Sequence, residues 1–123
     1  MTSPSPMTLL LNRIRDNLKT SDIPIKSRLP DASVPEPFIV IGSHFDDDAP
    51  SGKTGYEVLT TDLQIDLFYS IDSRTALEDE IYNVKSLIKH ATPQITRVTS
   101  NTITDDSVGR DVYHVIFIVS AII

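Results

Sequence analysis

The stretch Val112–Ile123 constrains this chain more than any other. It carries no formal charge, and at a period of two its faces are His114, Ile116, Ile118, Ser120, Ile122 and Tyr113, Val115, Phe117, Val119, Ala121, Ile123. Successive residues of a strand point to opposite sides, so both sides of this strand are largely apolar and both need cover. A lone antiparallel sheet normally leaves one polar face to water. A strand left bare on such a face is an aggregation hazard. The stretch is too short for a bilayer-spanning helix, which takes about 20 residues. A chain of 123 residues suits one domain around one core. One helix covers one face of such a strand, and the other face falls to a second helix or to another subunit.

The rest of the chain supplies the remaining elements. Residues 1–6 are rich in Ser, Thr and Pro and read as frayed up to Ser5-Pro6, a helix start with Ser5 as cap and Pro6 in the first turn. Met7, Leu10 or Leu11, Ile14 and Leu18 then recur at helical spacing, which predicts a short amphipathic helix ending near Lys19. Residues 21–37 hold Pro24, Pro30, Pro35 and Pro37 and read as an irregular or extended connection. Phe38–Ile41 is an apolar run that predicts a buried strand closed by Gly42, followed by a hydrophilic loop from His44 to Gly55.

The clearest periodicity follows that loop. Leu59, Thr61, Leu63, Ile65, Leu67 and Tyr69 alternate with Val58, Thr60, Asp62, Gln64, Asp66 and Phe68, which predicts a long strand with the first set toward a core and the second mostly toward water. Thr75 with Glu78 reads as a capping box that opens a helix. Leu77, Ile81, Val84 and Ile88 form its apolar face, Glu78, Asp79 and Glu80 fall in its first turn, Lys89 and His90 in its last, and Pro93 stops it. Gln94–Ile103 reads as a strand, Asp105–Gly109 as a turn, and Val112–Ile123 as the last strand. The expected architecture is α+β: a single domain of order α-β-β-α-β-β, with a four-stranded, mainly antiparallel sheet and two helices packed on it.

Charge and composition narrow the function. The absence of cysteine excludes a disulfide framework, a thiol nucleophile and a Cys-ligated zinc. A net charge of −6 argues against a DNA-wrapping surface. The charge is polarised. Residues 1–28 hold Arg13, Arg15, Lys19, Lys26 and Arg28 against Asp16 and Asp22, whereas residues 31–62 hold Asp31, Glu36, Asp46, Asp47, Asp48, Glu57 and Asp62 against Lys53 alone. The basic part of one copy can therefore meet the acidic part of another. Neither terminus reads as a signal peptide, and the chain is expected to be soluble.

Three local features carry potential chemistry. Ser51-Gly52-Lys53-Thr54 resembles the end of a phosphate-binding loop, but Asp47 stands where the motif needs its first glycine, and a strand follows where it needs a helix. Nucleotide binding is therefore the minor alternative. His44 with Asp46, Asp47 and Asp48 offers oxygen and nitrogen donors. Consecutive aspartates do not converge as calcium-loop ligands do, so the expected role is a solvated acidic loop in contact with another protein. His114 has no evident nucleophile partner and reads as a satisfied strand or interface histidine. No set of nucleophile, base and orienting group emerges; the chain is expected to be no enzyme and to need no metal or cofactor.

Taken in order, PFIVIG (Pro37–Gly42), TTDLQIDLFYS (Thr60–Ser70), IYNVKSLI (Ile81–Ile88) and DDSVGRDVYHVIFIVSAI (Asp105–Ile122) give the chain a profile. Together with the capped first helix and the proline-rich connection, it resembles the tail-terminator and tail-completion proteins of long-tailed bacteriophages, over residues 7–123. That resemblance implies a structural virion protein in the neck region of the tail. It implies a hexameric ring that caps the tail tube, ends tube polymerisation and meets the head connector or stopper protein. DNA passes the lumen of such a ring without specific binding, which an acidic wall favours. The other reading within the same profile is a head-side stopper. Asp46, Asp47, Asp48 and Lys53 of the middle loop, with Tyr113, His114 and Phe117 of the last strand, are the expected interaction residues.

Overall fold

The computed structural model describes residues 3–47 and 59–123. Helix α1 spans Pro6–Leu18, a 3-10 turn Lys19–Ser21, strand β1 Ile25–Lys26, β2 Phe38–Asp47 and β3 Thr60–Ser70. Helix α2 follows at Arg74–Lys89, then β4 at Ile95–Asp105 and β5 at Val112–Ile122. The strands form one five-stranded sheet in the order β1-β2-β3-β5-β4. All neighbours are antiparallel except β1, which runs parallel to β2. The sheet is thus mixed and has one strand more than expected. The extra strand lies in the proline-rich connection, where Ile25 and Lys26 pair with Ile39 and Val40.

The first helix starts as its sequence dictates: the Ser5 side chain accepts a bond from the Thr8 amide, and Pro6 stands in the first turn. Leu10, Ile14 and Leu18 bury one face. The second helix starts ahead of the Thr75–Glu78 pair. Ser73 is the cap residue, without a side-chain cap bond, and the first turn holds no acid. Glu78 pairs instead with Arg74, one helical turn back, at 2.9 Å. Leu77, Val84 and Ile88 are buried as the periodicity predicts.

Both helices lie on the same face of the sheet. Leu10, Ile14 and Leu18 of α1 and Leu77, Val84 and Ile88 of α2 share one buried cluster with Ile39, Ile41, Leu63, Ile65, Leu67, Val115, Phe117 and Val119. The Asn17 amide donates to the Leu87 carbonyl at 2.5 Å and Arg13 to the buried Thr92 hydroxyl at 3.2 Å, which ties the first helix to the end of the second.

Among the described residues, the opposite face is covered at one end only. Phe38, Val40, Phe68, Val108 and Val112 form a second buried cluster there, with Val34 against it. Phe68 is therefore not a water-facing residue, and neither is Asp66, which is 8% exposed. The alternation of β3 places both on the non-helix face correctly. Their cover comes from remote segments, the connection around Val34 and the turn around Val108, which alternation does not reveal. Arg110 pins this cover. Its guanidinium donates to the Ala32 carbonyl at 2.6 Å, the Val34 carbonyl at 2.7 Å and both oxygens of Glu36.

Strand β2 also runs further than its apolar segment. It continues through Ser43, His44, Phe45 and Asp46 to Asp47, so these residues belong to a strand and not to a loop. They stay extended because β3 pairs them, Phe45 with Asp62 and Asp47 with Thr60, after a bulge between Ile41 and His44. Gly42 sits at that bulge, where a Cβ would meet the Gln64 carbonyl oxygen at 3.2 Å, so the close approach of the two backbones favours glycine.

Candidate functional site

The uncovered part of the non-helix face is the surface this chain has to offer. Cross-strand partners point to the same side, so Phe45, Asp62 and Ser120 share that face, as do Gln64 with Ile118 and Asp66 with Ile116. Phe45 is 74% exposed and Ile122 49% exposed, while Ile116 and Ile118 are half-buried. Ile103 of β4, opposite His114, adds a further exposed aliphatic. A shallow groove of about 400 Å³ runs between Ser43, His44, Phe45, Asp62, Gln64 and Ile118. These apolar side chains stand among Asp62, Gln64 and Ser120 on the same face.

At the boundary between covered and open halves sits a charged cluster that joins three strands. His114 Nδ1 lies 2.8 Å from Asp105 Oδ2 of β4, and Nε2 lies 2.7 Å from Asp66 Oδ1 of β3. A neutral imidazole has a single N–H, so only the imidazolium donates to both carboxylates. The His114 side chain is 13% exposed. Burial is the strongest single influence on it and pulls its pKa down, but the bonds to Asp66 and Asp105 together outweigh burial and hold it above the ordinary histidine value. The Phe68 ring stacks on the imidazole at 4.4 Å between centroids, and Phe38 stacks on Phe68 at 5.0 Å. Asp66 also accepts from the Gln64 side chain at 3.0 Å. Asp105 is held below the ordinary carboxylate range, first by the Ser107 amide and then by His114. Both ring nitrogens of His114 are engaged, so the cluster acts as a brace across β3, β5 and β4 and presents no lone pair for proton abstraction. Among the described residues, no group of three or more His, Asp or Glu side chains is arranged to hold a metal ion.

The expected interaction residues are thus dispersed. Asp46 and Asp47 stand at the far end of β2. Asp46 accepts from the Thr61 hydroxyl at 2.5 Å and pairs with His44 Nδ1 at 2.8 Å, and these two bonds, Thr61 first, hold its carboxyl below the usual range. Asp48, Lys53 and the whole Ser51–Thr54 segment lie outside the described residues. His114 lies at the edge of the open face. Tyr113 is half-buried on the helix face with the Arg74 guanidinium 5.4 Å above its ring. Phe117 is fully buried under the helices and has no surface to share. The edge of the last strand is likewise not free, because β5 lies between β3 and β4. Among the described residues, no strand borders the outer edge of β4.

Asp66, Asp105 and Phe68 complete the cluster, and sequence reading does not find them. The usable signal is the carboxylate of Asp66, whose next residue on the same side of the strand is the apolar Phe68. It finds its meaning only when β5 is placed in register, Phe68 opposite His114.

No helix among the described residues is long and apolar enough to cross a membrane. No family model matches the sequence, and no curated protein matches it as a relative.

Proposed function

We propose that this chain is a structural assembly subunit of the phage tail-terminator type, a ring-forming virion protein that caps the tail tube, ends its polymerisation and joins it to the head connector. The observation that carries this reading is the half-covered sheet. Both helices pack on one face, and the other keeps Phe45, Ile103 and Ile122 exposed beside half-buried Ile116 and Ile118. A chain that keeps such a face gains stability by burying it against another chain, at roughly 25 cal/mol per Å² of apolar area. Heterologous contacts of this kind close into a ring when the rotation between copies fits. The net charge of −6 suits a lumen that DNA crosses without sticking, since acidic walls repel phosphates.

Electron microscopy of virions assembled without this chain tests the reading. Tails of uncontrolled length are the expected result. Tails of normal length on filled heads would overturn it, and heads that leak DNA beside normal tails would make the chain a head-side stopper. Calorimetry with ATP and magnesium checks the enzyme alternative: no heat of binding is expected, and saturable binding would overturn the structural reading.

A further inference from the structure

The sheet ends in two unlike edges, and their strand directions and charges fit each other. Strand β4 is the last strand on one side, and among the described residues no strand borders its outer edge. On the other side, β1 shields β2 only at Ile39 and Val40, so among the described residues no strand borders Ile41–Asp46. Open edges of this kind are templates for a strand of another chain.

The direction is favourable. β2, β3, β5 and β4 alternate in direction, so β2 and β4 run oppositely. A second copy brought alongside by rotation about an axis along the strands keeps its strand directions. Its β2 then meets the first copy's β4 antiparallel, and the sheet continues from copy to copy.

The height and charge also match. Following the register across the sheet, Asp46 is level with Thr61, Ala121 and Ile95, and Phe45 is level with Asp62, Ser120 and Arg97. The open half of β2 thus stands at the height of the Ile95–Ser100 half of β4. The first carries the carboxylate of Asp46 on the helix face, level with Ile95. On that same face the second borders a shelf lined by Lys85, Lys89 and His90 of α2 and its C-terminal cap, with Thr96 and Val98, while Arg97 shares the opposite face with Phe45. Opposite charge at an interface fixes register and steers encounter.

We infer that the outer edge of β2, Ile41–Asp46, pairs antiparallel with the Ile95–Ser100 half of β4 in a second copy of this chain, and that this head-to-tail pairing is the contact that builds the assembly. The inference rests on the ring reading for its partner and on the two edges for its interface.

The absence of native cysteine allows a direct test. Phe45 and Arg97 are exposed and level, so a Phe45→Cys/Arg97→Cys chain, oxidised after purification, brings the two thiols of neighbouring copies within disulfide reach. On a non-reducing gel it should give a ladder beyond the dimer, while each single variant stops at the dimer. A Phe45→Cys/Ile103→Cys chain places the second thiol at the height of the half that β1 covers and should give no ladder. Sedimentation of the unsubstituted chain runs in parallel. Multimers by sedimentation without a ladder from the Phe45→Cys/Arg97→Cys chain, or a ladder from the Phe45→Cys/Ile103→Cys chain instead, overturn the edge pairing and leave the ring standing. A monomer by sedimentation and no ladder overturn both.

Discussion

The two faces of one sheet behave differently in this molecule. On the helix face β2, β3, β4 and β5 contribute side chains to a continuous core, and the cover is two helices whose sequence periodicity already announces it. On the other face the cover among the described residues is irregular chain over Phe38, Val40, Phe68, Val108 and Val112, pinned by Arg110, and beside it His114 braces three strands. The first face holds the fold together. The second is where polar bonds replace packing and where unburied apolar side chains remain, so it is the face with something to gain from a partner.

Substitutions that distinguish the faces test this contrast. The largest effect is expected on the helix face: Phe117→Ala removes a fully buried ring and should cost about 3–5 kcal/mol in urea unfolding. A cost under about 1 kcal/mol would mean that the helix face is not the core. Next is the brace. His114→Ala leaves Asp66 and Asp105 facing each other without the cation between them and should cost roughly 2 kcal/mol, because buried acceptors lose their donor. The contrast holds if His114→Ala leaves the near-ultraviolet signal of the helix face unchanged.

The brace also predicts a pH dependence. His114 has its folded pKa above the ordinary value. Its stabilisation is therefore fully present below the unfolded histidine pKa of about 6.5 and is lost as pH rises through the raised folded value. Asp105 and Glu36 are shifted the other way, Glu36 chiefly by its bond to Arg110, and their contribution is lost in acid. Unfolding midpoints measured from about pH 6 upward should fall for the native chain and stay flat for His114→Asn. A flat profile for both would contradict the imidazolium assignment. The smallest effect on the isolated chain is expected from Phe45→Ser on the open face: a change within about 0.5 kcal/mol in stability, together with weaker association between copies by sedimentation. A marked loss of stability would show that Phe45 is buried within the chain itself.

The two faces are also unequally legible in the sequence. The helix face follows from period: Leu63, Ile65 and Leu67 at every second residue and Leu77, Val84 and Ile88 on one side of a helix, and the structure buries all of them. The other face is built from contacts that period does not encode. Strand β1 is two residues in a proline-rich segment, recognisable only from its pairing with Ile39 and Val40. The polar end of β2 is extended because β3 lies beside it, against the preference of Ser43, His44 and Asp46 for a loop. His114 finds its partners 48 and 9 residues away, and Arg110 reaches Glu36 across 74. Both faces of the last strand are apolar in the sequence alone, and that pattern already demands cover on both sides. Which face the chain covers itself is decided by where the second helix packs.

Everything proposed for this chain turns on copies associating through the half-covered side and the edges of the sheet. The mass and symmetry of the purified protein, by sedimentation over a wide concentration range together with electron microscopy of the same sample, bear on this without intermediary. A closed ring whose mass is six times the 13.7 kDa subunit is expected. A particle of 13.7 kDa at every concentration, with no ring in the micrographs, would contradict it.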